Sequence, residues 1–149
     1  MLTIHAAERV RRTWDSASLE GGAVAVEGGR VAAVGPLAEL AERFPGARVR
    51  RWPGVLGPAR VHEGPLPDAP TPREQVHAVL KLGAVAVLAE YAGSRELRAA
   101  AERNDVAVLE RARPAALVDL GRADLAVLDD DGGACIATVC AGRLVHRRR

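Results

Sequence analysis

The chain has 149 residues, enough for one ordinary domain with its own core. It is too short for a full eight-stranded α/β barrel, which needs roughly 250 residues. Hydrophobic residues make up 48% of the sequence and aromatics only 3%, which predicts a core of small aliphatic side chains and few rings for stacking nucleobases. The net charge of +2 is carried by arginines, with Lys81 the single lysine, and so near-neutral a balance argues against a nucleic-acid surface.

In chain order, "LTIH" (residues 2–5) reads as a strand, followed by the polar link "RTWDSASLEGG". Ala23 to Val26 and Arg30 to Val34 flank "EGG" and read as a hairpin whose turn needs positive φ. "PLAELAERF" predicts a short helix with Pro36 near its first turn, and "ARVRRW" a returning strand. Prolines at 53, 58, 65, 67, 70 and 72 oppose both helix interior and central strand, and predict a surface linker.

Thr71-Pro72-Arg73-Glu74 has the form of a capping box opening the helix "PREQVHAVLKLG", with Val76, Val79 and Leu80 on one face. "AVAVLAE" is the apolar run of a parallel strand buried on both faces. Ser94 caps a second helix, "SRELRAAAERN", and "VAVLE" is the next strand, so this stretch reads as a βαβ-type unit. From Leu117 onward "ADLAVLDDDGG" and "ACIATVCAGRLVHR" predict a strand, an acidic turn, and a hairpin across Ala141-Gly142.

"GGAVAVEGGRVAAVGPLAEL" running on to "RWPGVLGPARV", and "RADLAVLDDDGGACIATVCAGRLVHR" at the other end, resemble the amidohydrolase superfamily, in particular imidazolonepropionase-like members. The resemblance implies a small β-sandwich assembled from both termini, with a metal-bearing barrel inserted between them. It covers roughly half of the chain, and the middle is similar to one early helix-strand-helix-strand piece of the barrel. The expected fold is therefore mixed α/β: a composite β-sandwich from residues 1–56 and 115–149, a Pro-rich linker 57–72, and a residual insert 73–112.

The departure lies at the metal site. Aligned on the family's His-x-His pair, "LGPARVHEGPLP" places Gly64 and Leu66 where two imidazoles should stand, and neither can ligate a cation. The later ligands implied by the resemblance fall on strands this chain lacks. His62 and Glu63 are the nearest remaining candidates for a metal, with Glu90 as a further catalytic candidate; a hydroxide-generating zinc needs about three fixed ligands. His5, His77 and His146 are scattered.

Cys135 and Cys140, five apart on a strand, point to opposite faces and cannot easily bridge. Either could act as a nucleophile only if a nearby cation stabilised its thiolate, and a cross-strand contact between Cys140 and His146 is conceivable; a core role is favoured. Asp124 reads as a structural residue at a strand start. Asp129 to Asp131 read as a solvated turn without calcium-loop periodicity, and the "HRRR" end as a frayed tail. Gly28-Gly29 is not followed by a helix and is a turn, not a phosphate cradle.

Together these readings predict a non-catalytic, amidohydrolase-like protein acting as a structural, partner-binding or small-molecule-binding module, with no cofactor. The alternative is a divergent hydrolase or deaminase acting on a non-peptide carbon–nitrogen bond of a small cyclic substrate, with zinc at His62 and Glu63. A nucleic-acid or regulatory binder is the second alternative. Without the rest of a barrel, the "AVAVL" strand is expected to expose apolar surface, which predicts a homo-oligomer or a second protein chain as partner. The start shows no long apolar run and no segment is long enough to span a bilayer, so a cytoplasmic location with reduced thiols and no membrane contact is expected.

Overall fold

The computed structural model describes residues 1–129 and 133–148. Two sheets organise it. The larger is mixed, with strands β1 (Leu2–Val10), β2 (Leu19–Glu20), β3 (Gly22–Glu27), β4 (Arg30–Pro36), β5 (Arg48–Pro58), β9 (Leu125–Leu128), β10 (Cys135–Cys140) and β11 (Arg143–Arg147). Its order is β11-β10-β9-β5-β1-β3-β4, with β2 paired to β1. The smaller is parallel, β6 (Arg60–His62), β7 (Ala84–Leu88) and β8 (Ala107–Leu109), with β7 central. Helices α1 (Leu37–Arg43), α2 (Pro72–Lys81) and α3 (Arg95–Arg103) and one turn of 3₁₀ helix (Ala89–Tyr91) complete the chain.

Both chain ends build the large sheet: N-terminal β1 and β5 are parallel neighbours, and β5 pairs antiparallel with C-terminal β9. The two layers expected of a sandwich are halves of this one sheet, which curls on itself. Val24, Val26 and Val31 from one end share a buried cluster with Val127, Ile136 and Val139 from the other. The segment after Leu117 closes the curl. Val31 N–H donates to Gly121 O at 2.9 Å, Leu120 N–H to Val31 O at 2.8 Å, and Ala123 N–H to Gly29 O at 2.8 Å.

The β3–β4 turn is the Gly28-Gly29 turn expected from the sequence, with Gly28 at φ +60°. It lies against the β10–β11 turn so closely that a Cβ on Gly142 would stand 2.0 Å from the Gly28 carbonyl oxygen.

Pro53 sits inside β5, against the expectation that proline would exclude a strand there. Trp52 pairs with Ala7 and Val55 with Arg9, so β5 carries one extra residue at a bulge. Pro53 and Gly54 occupy that bulge, where the ladder on β1 is interrupted and a missing N–H costs no sheet hydrogen bond. Pairing to β9 begins just beyond it, at Val55. The segment read as linker also holds β6, which pairs with β7 in parallel register; residues 63–71 carry no helix or strand.

The insert begins as its caps dictate. Thr71 Oγ1 accepts from Glu74 N–H at 3.2 Å and donates to the Glu74 carboxylate at 3.0 Å, with Pro72 at the first helical position. Ser94 Oγ accepts from Leu97 N–H at 3.0 Å. Each such cap contributes about 1 kcal/mol.

The apolar face expected to lie open on β7 does not exist. All five β7 residues are buried, none more than 8% exposed. Val76, Val79 and Leu80 of α2 and Leu97, Ala100 and Ala101 of α3 join Ala84, Val85 and Val87 in one cluster, backed by Ala126 and Cys140 of the large sheet. Thr138 Oγ1 ties the layers by donating to Leu80 O at 2.7 Å. The chain thus supplies its own cover at this strand.

His146 and Arg147, read as a frayed tail, lie in β11, and Arg148 forms a two-pronged ion pair with Asp129 at 2.9 and 3.0 Å. The rest of the expected acidic turn, Asp130 to Gly132, and Arg149 lie outside the described residues.

Candidate functional site

In a parallel α/β sheet the C-terminal ends of the strands are where side chains can converge on a ligand. Here those ends are His62, Leu88 and Leu109, aligned by the pairs His62–Val87 and Leu88–Leu109. His62 Nε2 lies 2.9 Å from Pro65 O, so its ring donates that proton to the loop beyond β6. Glu63 follows it and is exposed, and Glu90 is exposed in the 3₁₀ turn after β7.

Of the two positions where the alignment expects imidazoles, Gly64 has no side chain and Leu66 packs against the buried cluster of the insert. Among the described residues no group of three His, Cys, Asp or Glu side chains is placed to hold a metal ion. The divalent metal implied by the resemblance does not fit these residues, because a zinc centre needs at least three converging ligands. His77 is exposed on α2, and His5 is buried in β1.

The cysteines are both free thiols. The β10–β11 register sets His146 opposite Thr138 and Cys140 opposite Arg143, so the conceivable Cys140–His146 contact does not form across the hairpin. Cys140 is fully buried; burial pushes its thiol up to about 11, although Arg122 opposes this. Burial likewise raises Cys135. Neither is an activated thiolate, and both act as small packing residues.

The polar centre of the molecule is instead Arg122. Its Nε donates to Asp124 Oδ1 at 2.9 Å, and its terminal nitrogen donates to the Asp105 carbonyl and to Cys140 Sγ, the latter at 3.1 Å. Asp124 Oδ1 also accepts from Ala141 N–H at 2.9 Å. Asp105, at φ 58° in the turn after α3, pairs through its carboxylate with Arg143 at 2.7 Å. This network fastens the insert to the C-terminal hairpin. The sequence reading found Asp124 but missed Arg122, although "RAD" places the two side chains on the same side of an extended segment.

Beside the network, a cleft of about 210 Å³ lies between the first residues of β6 and β7 and the irregular segment 113–121. Its charged lining is Arg60, Arg113, Arg122 and Asp124. Arg60 stacks over Trp14 with its guanidinium carbon 4.9 Å from the ring centre, and Trp14 Nε1 donates to Pro58 O at 2.7 Å. This cleft is at the opposite end of β6 from His62.

The comparisons agree with this architecture. Residues 22–47 match the family model of the bacterial imidazolonepropionase-like composite domain. That segment is the β3–β4 hairpin, α1 and the approach to β5. No curated protein matches the chain. Among solved structures, it resembles a zinc-bound adenosine deaminase from Xanthomonas campestris, with TM-score 0.57 and 20% identity over 72% of this chain and 33% of that one. It also resembles a guanine deaminase from Bradyrhizobium japonicum, with TM-score 0.50 and 15% identity over 72% and 34%. A triazine hydrolase from Arthrobacter aurescens gives TM-score 0.50 and 16% identity over the same shares. The chain spans about a third of the length of these enzymes. At 20% identity or less, the likeness to these enzymes is one of fold, over a part of each. No helix among the described residues is long and apolar enough to cross a membrane.

Proposed function

We propose that the chain is a non-catalytic, amidohydrolase-like module that acts by binding. The observation that carries this reading is the C-terminal end of the β6-β7-β8 sheet. There His62 is engaged by Pro65, Leu66 packs against the insert's core, and among the described residues no third ligand joins Glu63. A fold shared with deaminases and hydrolases does not transmit their chemistry when the site residues are absent. The partly buried Arg122–Asp124 pair, joined to the Asp105 backbone, supports a rigid scaffold, and the cleft beside it supports a small molecule as the partner. The two unpaired cysteines suit a reducing compartment, and we place the chain in the cytoplasm.

The test uses the substrates after which the fold neighbours are named. Purified chain, with and without added zinc, is assayed for ammonia release from adenosine and guanine. The reading predicts no release above the protein-free rate. Zinc-dependent release that His62→Ala abolishes would establish the hydrolase alternative.

A further inference from the structure

We infer that the cleft beside Arg122 is a binding site for a small organic anion, a carboxylate carried on an apolar body. The assignment deepens the binding reading above and rests on it. Three guanidinium groups line the cleft against one carboxylate, and that carboxylate is already committed: Asp124 Oδ1 accepts from both Arg122 and the Ala141 N–H. Arg60 and Arg113 have no ion pair or hydrogen bond to their guanidinium groups among the described residues. The cleft therefore carries two uncompensated positive charges.

Arg60 is held in place by its stack on Trp14, and a stacked guanidinium keeps its in-plane N–H donors for a planar acceptor such as carboxylate. Arg113 enters from the opposite wall, on the segment anchored by Leu117, which is buried and donates its N–H to Arg12 O at 2.8 Å. The remaining walls are apolar, with Val61, Val85, Ala86 and Pro114 among them. A few fixed polar groups in an apolar surround are what orient a small ligand. The space of about 210 Å³ suits a compact monocyclic or short-chain acid.

The site differs from the strand ends that carry catalysis in parallel α/β enzymes, because its residues belong to the starts of β6 and β7. Binding here needs no metal and no reacting group.

The test is a ¹⁵N-amide NMR titration of the whole chain with benzoate, benzamide and inorganic phosphate. Benzoate is expected to shift amides of residues 58–61, 85–86 and 113–122, and to bind more weakly as salt is raised. Benzamide, the same shape without charge, and phosphate, the charge without the apolar body, should each bind at least tenfold more weakly. Arg113→Gln lies on an exposed segment and should leave the spectrum otherwise intact while weakening benzoate at least tenfold; Arg60→Gln should do the same. Unchanged benzoate affinity in both variants, equal binding of benzamide or phosphate, or no shifts in the cleft would overturn the assignment. Such a failure with no ammonia release from adenosine or guanine would leave the non-catalytic reading standing, whereas release would remove that reading whatever benzoate does.

Discussion

The Asp124 carboxylate accepts from the backbone N–H of Ala141 at 2.9 Å while holding Arg122 through the same oxygen at 2.9 Å. One side chain at the start of β9 thereby fixes the β10–β11 turn and, through Arg122, the turn after α3. Asp124→Ala leaves a partly buried N–H and a partly buried guanidinium without their acceptor. We expect a loss of about 1–3 kcal/mol, read as a lower urea midpoint with unchanged slope. Asp124→Asn, which keeps an acceptor oxygen, should recover part of it. A midpoint unchanged in Asp124→Ala would show that the network does not join the insert to the hairpin.

The two hairpin turns test the closure of the curled sheet. Gly142 has φ +84°, and a Cβ there would stand 2.0 Å from the Gly28 carbonyl oxygen. Gly46 has φ +89° with nothing within 4 Å of the same atom. Gly46→Ala bears only the left-handed conformation and should cost about 1–2 kcal/mol. Gly142→Ala bears that and a backbone clash, so it should exceed Gly46→Ala by at least about 1 kcal/mol. Equal costs by chemical denaturation would mean that the turns are not in contact.

Local chemistry is what the sequence made legible. The Gly28-Gly29 hairpin, the Thr71 and Ser94 caps and the Ala141-Gly142 turn all depend on residues within four positions of one another, and all occur as expected. What failed depended on neighbours distant in sequence. Pro53 is tolerated because β1 and β9 meet β5 on either side of a bulge, and β7 is covered because α2 packs between it and the large sheet. The resemblance supplied the link between the two termini, which hydrophobic periodicity alone does not carry. Arg60 and Arg113, 53 positions apart, become neighbours only through the cleft.

The thiols should be poor nucleophiles. With Cys140 pushed up to about 11, only about 0.1% would be thiolate at pH 8 even if reagent could reach it. Mass-resolved alkylation with iodoacetamide should therefore label Cys135 first and Cys140 only under unfolding conditions. Faster labelling of Cys140 in the native chain would contradict its burial.

His5 gives the fold a pH dependence. Trp52 Nε1 donates to its Nδ1 at 3.2 Å, and burial, helped by Arg50, lowers the imidazole to about 4 from 6.5. The unfolded chain therefore takes up this proton first as pH falls. The stability from neutral His5 is fully present above about pH 6.5, declines between there and pH 4, and falls no further below. The span is worth about 3 kcal/mol. His5→Asn keeps an acceptor for Trp52 without titrating, so wild type and variant should converge or cross between pH 7.5 and 4.5 in urea unfolding. Parallel pH profiles would show that His5 titrates normally.

The central claim is that this fold holds no catalytic metal at His62 and Glu63. It is tested most directly by elemental mass spectrometry of untagged protein, loaded with excess zinc and passed through gel filtration. The account predicts far less than one equivalent of zinc per chain, with no difference between wild type and His62→Ala/Glu63→Ala. About one equivalent, lost in that double variant, would contradict it and restore a zinc hydrolase.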